Sequence, residues 1–434
     1  MAKRNLMNRG LYTLLIILAM PIIVLRLLLR SIKSPAYRHR IGERFARFSV
    51  PESFIKEQGS VWIHCVSVGE TMAAVPLVKA LQEKHPSMAI VITTMTPTGS
   101  QRVIQQFGES VFHVYMPYDL PLLIRSFIKA LKPKLLIIME TELWPNTIHV
   151  SHQLGVKILI ANARLSQRSA HGYSRVAKLS GAMLANIDYF AVQAQADGDR
   201  FTSLGAKPGR VVVTGSLKFH RAEVLDSGVE QESTAKFFIN LSQQQRPMII
   251  AASTRDGEEE KILTAFKHCL QQLPDLVLVL VPRHPQRFDS VAKLCAQQGF
   301  SLMRRSSEQL LQDSTQILLG DSMGEMTQYY GLAKLAFVGG SLVDTGCQNV
   351  LEPAALGMPI LVGPSQYNFE NICRQLEHCG ALQTVDDEEA LGIAIVAILG
   401  DGQLTESMAK AGRQVVADNQ QALPRHMEII ESLL

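Results

Sequence analysis

VWIHCVSVGETMAAVPLVKALQEKHPSMAIVITT, residues 61–94, is the stretch from which the fold can be read. Val61–Val66 is a short apolar run rich in β-formers, Thr71–Glu83 carries helical periodicity, and Ala89–Thr93 is a second apolar run. A strand without a polar face has no solvent side, so this strand–helix–strand unit belongs to a parallel sheet covered on both faces. Outward from it the pattern repeats through Val111–Tyr115, Leu135–Met139, Lys157–Ala161, Tyr189–Gln193 and Val211–Thr214, with helical segments such as Leu122–Leu131 between them. It pauses over His220–Gln245, a polar stretch with one helical segment. It then restarts at Met248–Ala252, Leu276–Val281, Gln316–Leu319, Leu335–Val338 and Ile360–Val362. The expectation is an α/β chain of two doubly wound domains: an N-terminal domain over 48–218, a linker over 219–245, a second domain over 246–410 and a closing helix over 411–434. Such sheets bind ligands outside the carboxyl ends of their strands, which points to a cleft between the domains.

The N-terminal segment is different in kind. Gly10–Leu25 holds sixteen residues without a charge, with Lys3, Arg4 and Arg9 before it and Arg26, Arg30, Lys33, Arg38, Arg40, Arg44 and Arg47 after it. The first fifty residues carry ten Lys/Arg and one acid, whereas the other 384 carry 33 basic and 38 acidic residues. The body is slightly acidic, which argues against nucleic acid as a partner. No small-x-small cleavage site follows the apolar run, and downstream positive charge keeps the chain on the cytoplasmic side. Residues 1–47 therefore read as an uncleaved membrane anchor with a basic juxtamembrane segment on anionic lipid. The run is shorter than the ~20 residues of a spanning helix and contains Pro21, so spanning the bilayer and lying in one leaflet both stay open.

The six cysteines form no CxxC pair and no zinc spacing, as expected of a reducing compartment. There is no GxxxxGK[ST], HExxH or GxSxG, and no metal or cofactor is expected. What remains is a series of polar groups just past the strands. Ser67-Val68-Gly69-Glu70 follows the first; Glu70 is either a first-turn acid favoured by the helix dipole or a general base. Glu140-Thr141-Glu142-Leu143-Trp144-Pro145-Asn146 follows Leu135–Met139 with two carboxylates, the pattern of acid/base work or of a cap beside a packed Trp. Arg164 either grips an anion or pairs with Glu140 or Glu142, and Lys218 is a solvated linker lysine or, in a cleft, meets an anion. The second domain repeats the theme at Ser253-Thr254-Arg255, Pro282-Arg283, Asp321 to Met326, Gly339-Gly340-Ser341 and Asn349-Val350-Leu351-Glu352, which suits a nucleotide-type ligand.

Taken in order, SVGE, TPTG (96–99), ETELWPN, NARLS, TGSLKF, VPRHP, DSMGEM and NVLEPAALGMPILVGP resemble the 3-deoxy-D-manno-octulosonic acid (Kdo) transferases of Gram-negative bacteria, over nearly the whole chain. The resemblance implies a GT-B glycosyltransferase: two Rossmann-like domains behind an N-terminal membrane-anchor helix, and metal-independent, inverting transfer of Kdo from CMP-Kdo to a lipid A precursor at the cytoplasmic face of the inner membrane. It implies Glu70 as catalytic base and Glu140 and Lys218 as transition-state stabilisers. It implies Pro282, Arg283, Met323, Gly324, Glu325, Asn349, Val350, Leu351 and Glu352 as donor-binding residues. Two departures stand out, since Gln348 and Ser365 occupy positions where the family usually has histidine. The alternatives are another GT-B sugar-nucleotide enzyme, such as a UDP-sugar transferase or epimerase, and an inactive membrane-tethered nucleotide-binding protein. The basic anchor and the intact Glu70, Glu140 and Lys218 favour the Kdo transferase.

Overall fold

In a computed structural model of the chain, the described residues are 8–434 without 52–53, 55–58, 220–231, 244–245, 308 and 310. The chain forms two compact units, Met1–Arg221 with Asn419–Leu434, and Ala222–Asp418. Most of the expected linker 219–245 lies outside the described residues or in the helix Glu232–Ser242.

The first unit contains β1 (Ser60–His64), β2 (Ala89–Thr94), β3 (Phe112–Tyr115), β4 (Pro133–Met139), β5 (Lys157–Ala163), β6 (Tyr189–Val192) and β7 (Val211–Val213). They lie in the order β3-β2-β1-β4-β5-β6-β7, all parallel. Successive side chains of a strand point to opposite faces. Trp62, Leu136 and Ile138 therefore meet Phe127 and Ile148 in one core layer, while Val61, Ile63 and Ile137 meet Leu77 and Val78 in the other. That double burial is why these strands have no polar alternation.

The second unit repeats the plan with β8 (Met248–Thr254), β9 (Val277–Pro282), β10 (Leu302–Arg304), β11 (Ile317–Leu319), β12 (Ala336–Val338), β13 (Ile360–Val362) and β14 (Leu382–Thr384). Their order is β10-β11-β9-β8-β12-β13-β14, again parallel. The strand order reverses between β1 and β4 in one sheet and between β8 and β12 in the other, and these switch points open the crevices in which such sheets take ligands.

At the C-terminus two helices, Gly402–Asn419 and Ala422–Leu433, stand where the sequence suggests one over 411–434. Pro424 explains the break. In a continuous helix its ring would clash with the carbonyl of residue 420, but in the first turn of a new helix it is tolerated. The second helix belongs to the first unit, where the His426 ring Nε2 accepts the Asn162 N–H at 2.9 Å.

The N-terminal helix runs Arg9–Lys33, continuing through Arg26 and Arg30 beyond the charge-free run. Arg9–Ile32 is long and apolar enough to cross a membrane. Leu14, Leu15, Leu18, Ile22, Leu25 and Leu29 are exposed, while Tyr12, Thr13, Ile16 and Ile23 are half-buried against the unit. Thr13 Oγ1 donates to Asn146 Oδ1 at 3.0 Å and an Arg9 N–H donates to the same oxygen at 3.3 Å. The basic segment behind this helix is not uniformly free for lipid. Arg44 is 3% exposed and donates to the Met95 carbonyl, Arg40 donates to the His113 carbonyl, and both guanidinium groups lie over the Tyr115 ring.

Candidate active site

Glu70 is built by a helix start. Three residues past β1 the helix Val68–Lys84 opens with Ser67 as N-cap, whose Oγ accepts the Glu70 N–H. The Glu70 carboxylate folds back to accept the Ser67 hydroxyl and the Val66 N–H, each at 2.7 Å. This reciprocal capping box fixes the side chain. Only 6% of Glu70 is exposed, and burial pushes its carboxyl up to about 7. The two hydrogen bonds oppose that rise, and the nearby charges of Glu140 and Glu142 add to it. A carboxyl poised near neutrality suits general base catalysis.

Glu140 is the first residue past β4. Its φ of 56° is left-handed, a conformation that costs a residue with a Cβ roughly 1–2 kcal/mol and is characteristic of functional sites. The turn is held by the Glu140 N–H donating to the Ala161 carbonyl at 2.9 Å. It aims the carboxylate at Lys218, with Nζ 3.0 Å from Oε1. Glu142 accepts the Trp144 indole N–H at 3.1 Å, and burial raises its carboxyl above the usual range. Thr141 donates to the Arg164 carbonyl, and the Arg164 charge is felt by Asp197. Because β1 and β4 flank the switch point, Glu70, Glu140, Glu142 and Lys218 gather at one crevice of the first unit.

In the second unit Pro282 ends β9, and the Arg283 N–H donates to the Thr254 carbonyl at 3.0 Å, tying the ends of β9 and β8 together. Asn349 donates to Glu352 at 2.8 Å and accepts the Leu351 N–H, with Val350 and Leu351 buried under a short helix, Leu351–Ala355. Met323 is exposed and Gly324 is left-handed at φ 86°. Glu325 is committed to Arg305 at 2.9 Å, whose guanidinium stacks 4.3 Å above the Phe237 ring. Where the family's histidines would stand, Gln348 donates to the Gly346 carbonyl and Ser365 Oγ accepts the Gly346 N–H. Gln348 braces its own loop, and Ser365 ties the loop after β13 to it.

Two groups escape the sequence reading. Glu258 is fully buried and its carboxylate accepts the N–H groups of Gly340, Ser341 and Leu342 at 2.7, 3.0 and 3.0 Å, and that of Arg255 at 3.0 Å. It moulds the loop after β12 around itself. A Cβ on Gly339 would lie 2.7 Å from Thr254 Cα, so only glycine lets the two strand ends approach. The second is Asp119, which accepts the N–H groups of Asn146 and Thr147 and so anchors the helix that follows Trp144. Three consecutive glutamates, 258–260, mark a helix start but not that Glu258 and Glu259 turn inward while Glu260 stays exposed. Asp119 sits in a loop without periodicity. Among the described residues no three His, Cys, Asp or Glu side chains are placed to hold a metal ion.

Residues 39–221 match the family model described as 3-Deoxy-D-manno-octulosonic-acid transferase (kdotransferase), and residues 234–415 match Glycosyl transferases group 1. The chain is 42% identical to a 3-deoxy-D-manno-octulosonic acid transferase of Haemophilus influenzae over 429 residues, 99% of either chain. It is 33% identical to one of Bordetella pertussis, over 99% of this chain and 100% of the other. A solved UDP-GlcNAc 2-epimerase from Neisseria meningitidis, bound to UDP-GlcNAc, is similar with a TM-score of 0.60 at 12% identity. That match covers 86% of this chain and 100% of the other, and it is a likeness of fold alone.

Proposed function

The chain belongs to the Kdo transferase family and is a GT-B enzyme that transfers Kdo, and from that premise we propose that its donor is CMP-Kdo, its acceptor the lipid A precursor lipid IVA, and its chemistry inverting and metal-independent. The observation that carries this reading is Glu70, a buried carboxylate poised near neutrality at the switch point beside Glu140 and Lys218. Glu70 takes the proton of the acceptor hydroxyl as that oxygen attacks the anomeric carbon of Kdo. The bond from that carbon to the CMP phosphate breaks, and CMP leaves with the electron pair. Lys218, held by Glu140, supplies positive charge to the departing phosphate. Pro282, Arg283, Met323, Gly324, Glu325 and Asn349 to Glu352 form the donor-binding set. Glu325 and Glu352 act there partly through the partners they hold, Arg305 and Asn349. The Arg9–Lys33 helix keeps the enzyme on the cytoplasmic side of the inner membrane, in the plane of its lipid substrate.

The test is the mass of the lipid product. Purified full-length protein given CMP-Kdo and tetra-acylated lipid A precursor adds one or more Kdo masses, and Glu70→Ala, folded by circular dichroism, adds none. Wild-type-like addition by the variant would overturn the assignment of the base. No addition by the wild type would overturn the donor and acceptor.

A further inference from the structure

We propose that the cavity between the helix Arg9–Lys33 and the body of the first unit holds a hydrocarbon chain of the lipid acceptor, an inference that rests on the proposed transfer to a lipid-linked sugar. The cavity measures about 480 Å³. Tyr12, Ile16 and Ile23 of the helix form one wall, and Trp144, Tyr173 and Met183 stand among the residues opposite. Tyr12 and Ile23 are eleven residues apart, so the space runs about 16 Å along the helix, roughly half of a ~30 Å hydrocarbon core. A long, narrow, mostly apolar space fits a chain better than it fits a sugar or a nucleotide.

Much of its polar lining is already hydrogen-bonded within the protein. Asp119 accepts the Thr147 N–H and hydroxyl at 2.7 Å each and the Asn146 N–H at 3.0 Å. The Tyr12 hydroxyl also bonds Asp119, and the Ser180 hydroxyl donates to the Tyr173 carbonyl at 3.0 Å. These bonds occupy the Asp119 carboxylate and the Tyr12 and Ser180 hydroxyls within a lining that is otherwise mostly apolar. The bonds from Arg9, Tyr12 and Thr13 instead latch the helix to the body at the start of the helix Pro145–Gln153. A passive tether needs no such latch, whereas the wall of a binding site does.

Two further observations select the acceptor over any other chain. Leu143, Trp144 and Pro145 line the cavity and belong to the loop that carries Glu140 and Glu142, with Trp144 bonded to Glu142. An occupant therefore ends beside the proposed catalytic carboxylates. On the far side of the same helix Leu14, Leu18, Ile22 and Leu25 are exposed, so a chain enters from the layer in which that face is solvated by lipid.

Trp144 is a built-in reporter, since the only other tryptophan, Trp62, is fully buried in the sheet. The full chain is placed in lipid nanodiscs, and tryptophan quenching is followed with two probes at matched mole fraction. One is lipid A precursor with brominated acyl chains, and the other is phospholipid with the same bromination. The expected result is saturable quenching by the brominated acceptor at a few mole per cent, lost in Trp144→Phe, with far weaker quenching by the phospholipid. Ile16→Trp and Val176→Phe, assayed for turnover, should raise the acceptor KM about tenfold and leave the CMP-Kdo KM unmoved. Equal quenching by both probes would assign the cavity to bilayer lipid, and no quenching would leave it without a chain; either result overturns the proposal. So would a KM change shared by both substrates, the mark of a merely structural role. Because quenching reads binding without turnover, saturable quenching in a wild type that adds no Kdo would strike the transferase reading itself.

Discussion

Glu70 shows how one side chain can be both a helix cap and a reactive group. As a cap it accepts two hydrogen bonds, yet it is buried and faces Glu140 and Glu142, with no ion pair to a cation among the described residues. The free carboxyl titrates near 4.5 and the folded one at about 7, so between those values the unfolded chain gives up a proton that the folded chain keeps. Stability therefore falls as pH rises through that window, by up to about 3 kcal/mol. We expect Glu70→Gln to lack this loss. Denaturation midpoints should drop from pH 4.5 to 8 in the wild type relative to the variant, and parallel profiles would refute the perturbed carboxyl. The same group sets activity in the opposite sense, with kcat/KM rising on the acid side to an apparent pKa near 7. At this scale the sequence singles out Glu140 because it directly follows an apolar strand, and Glu70 because it stands in the turn that leads from another strand into a helix. Glu258 was not, because composition does not decide which of three adjacent glutamates turn inward; Glu258 and Glu259 are both buried and Glu260 is exposed.

The elements were legible in proportion to their burial. β1, β4, β5, β8 and β9 are each built on a mostly apolar run. β10 and β14 are three-residue strands that contain the half-exposed Arg304 and the exposed Gln383, and they give no run to see. The pairing of the closing helix with the first unit was equally hidden, since it depends on the contact of His426 with Asn162, 264 residues away. His426 is neutral there, with Nδ1 donating to the Ala422 carbonyl and Nε2 accepting from Asn162, and burial lowers its pKa to about 4. Protonation would destroy the acceptor, so this contribution is complete above about 6.5 and is lost as pH falls toward 4. His426→Ala should cost roughly 2–4 kcal/mol at pH 8, from the stranded Asn162 N–H and the space left behind, as read by thermal melting. Glu258 acts at the same scale, holding a loop and touching no reacting atom. Glu258→Gln leaves amides of the Gly340–Leu342 loop without a charged acceptor, and the CMP-Kdo KM should rise about tenfold while the acceptor KM holds. A shared change in both would mean a general loosening of the second unit.

For the whole molecule the decisive asymmetry is between a basic N-terminal fiftieth-residue stretch and a slightly acidic body. Charge counting alone treats all ten cations as lipid ligands; Lys3 and Arg4 lie outside the described residues, and the structure divides others among the rest. Arg26 and Arg30 are exposed on the apolar helix, whereas Arg40 and Arg44 are folded onto Tyr115 and the strand ends, with Arg40 also bonded to Glu43. An exposed cation near anionic head groups contributes about 1 kcal/mol, or roughly fivefold in partitioning, and a cation already bonded inside the protein contributes nothing of the kind. Arg26→Gln and Arg30→Gln should each weaken binding to phosphatidylglycerol-containing vesicles several-fold, an effect erased by high salt, while leaving the melting temperature in place. Arg44→Gln should do the reverse, lowering the melting temperature because it strands the Met95 carbonyl and removes a buried stack, with little change in partitioning. Co-sedimentation and melting curves on the same three variants separate the two classes. If Arg44→Gln weakened vesicle binding as much as Arg26→Gln, the segment behind the helix would have to leave the body on reaching the membrane.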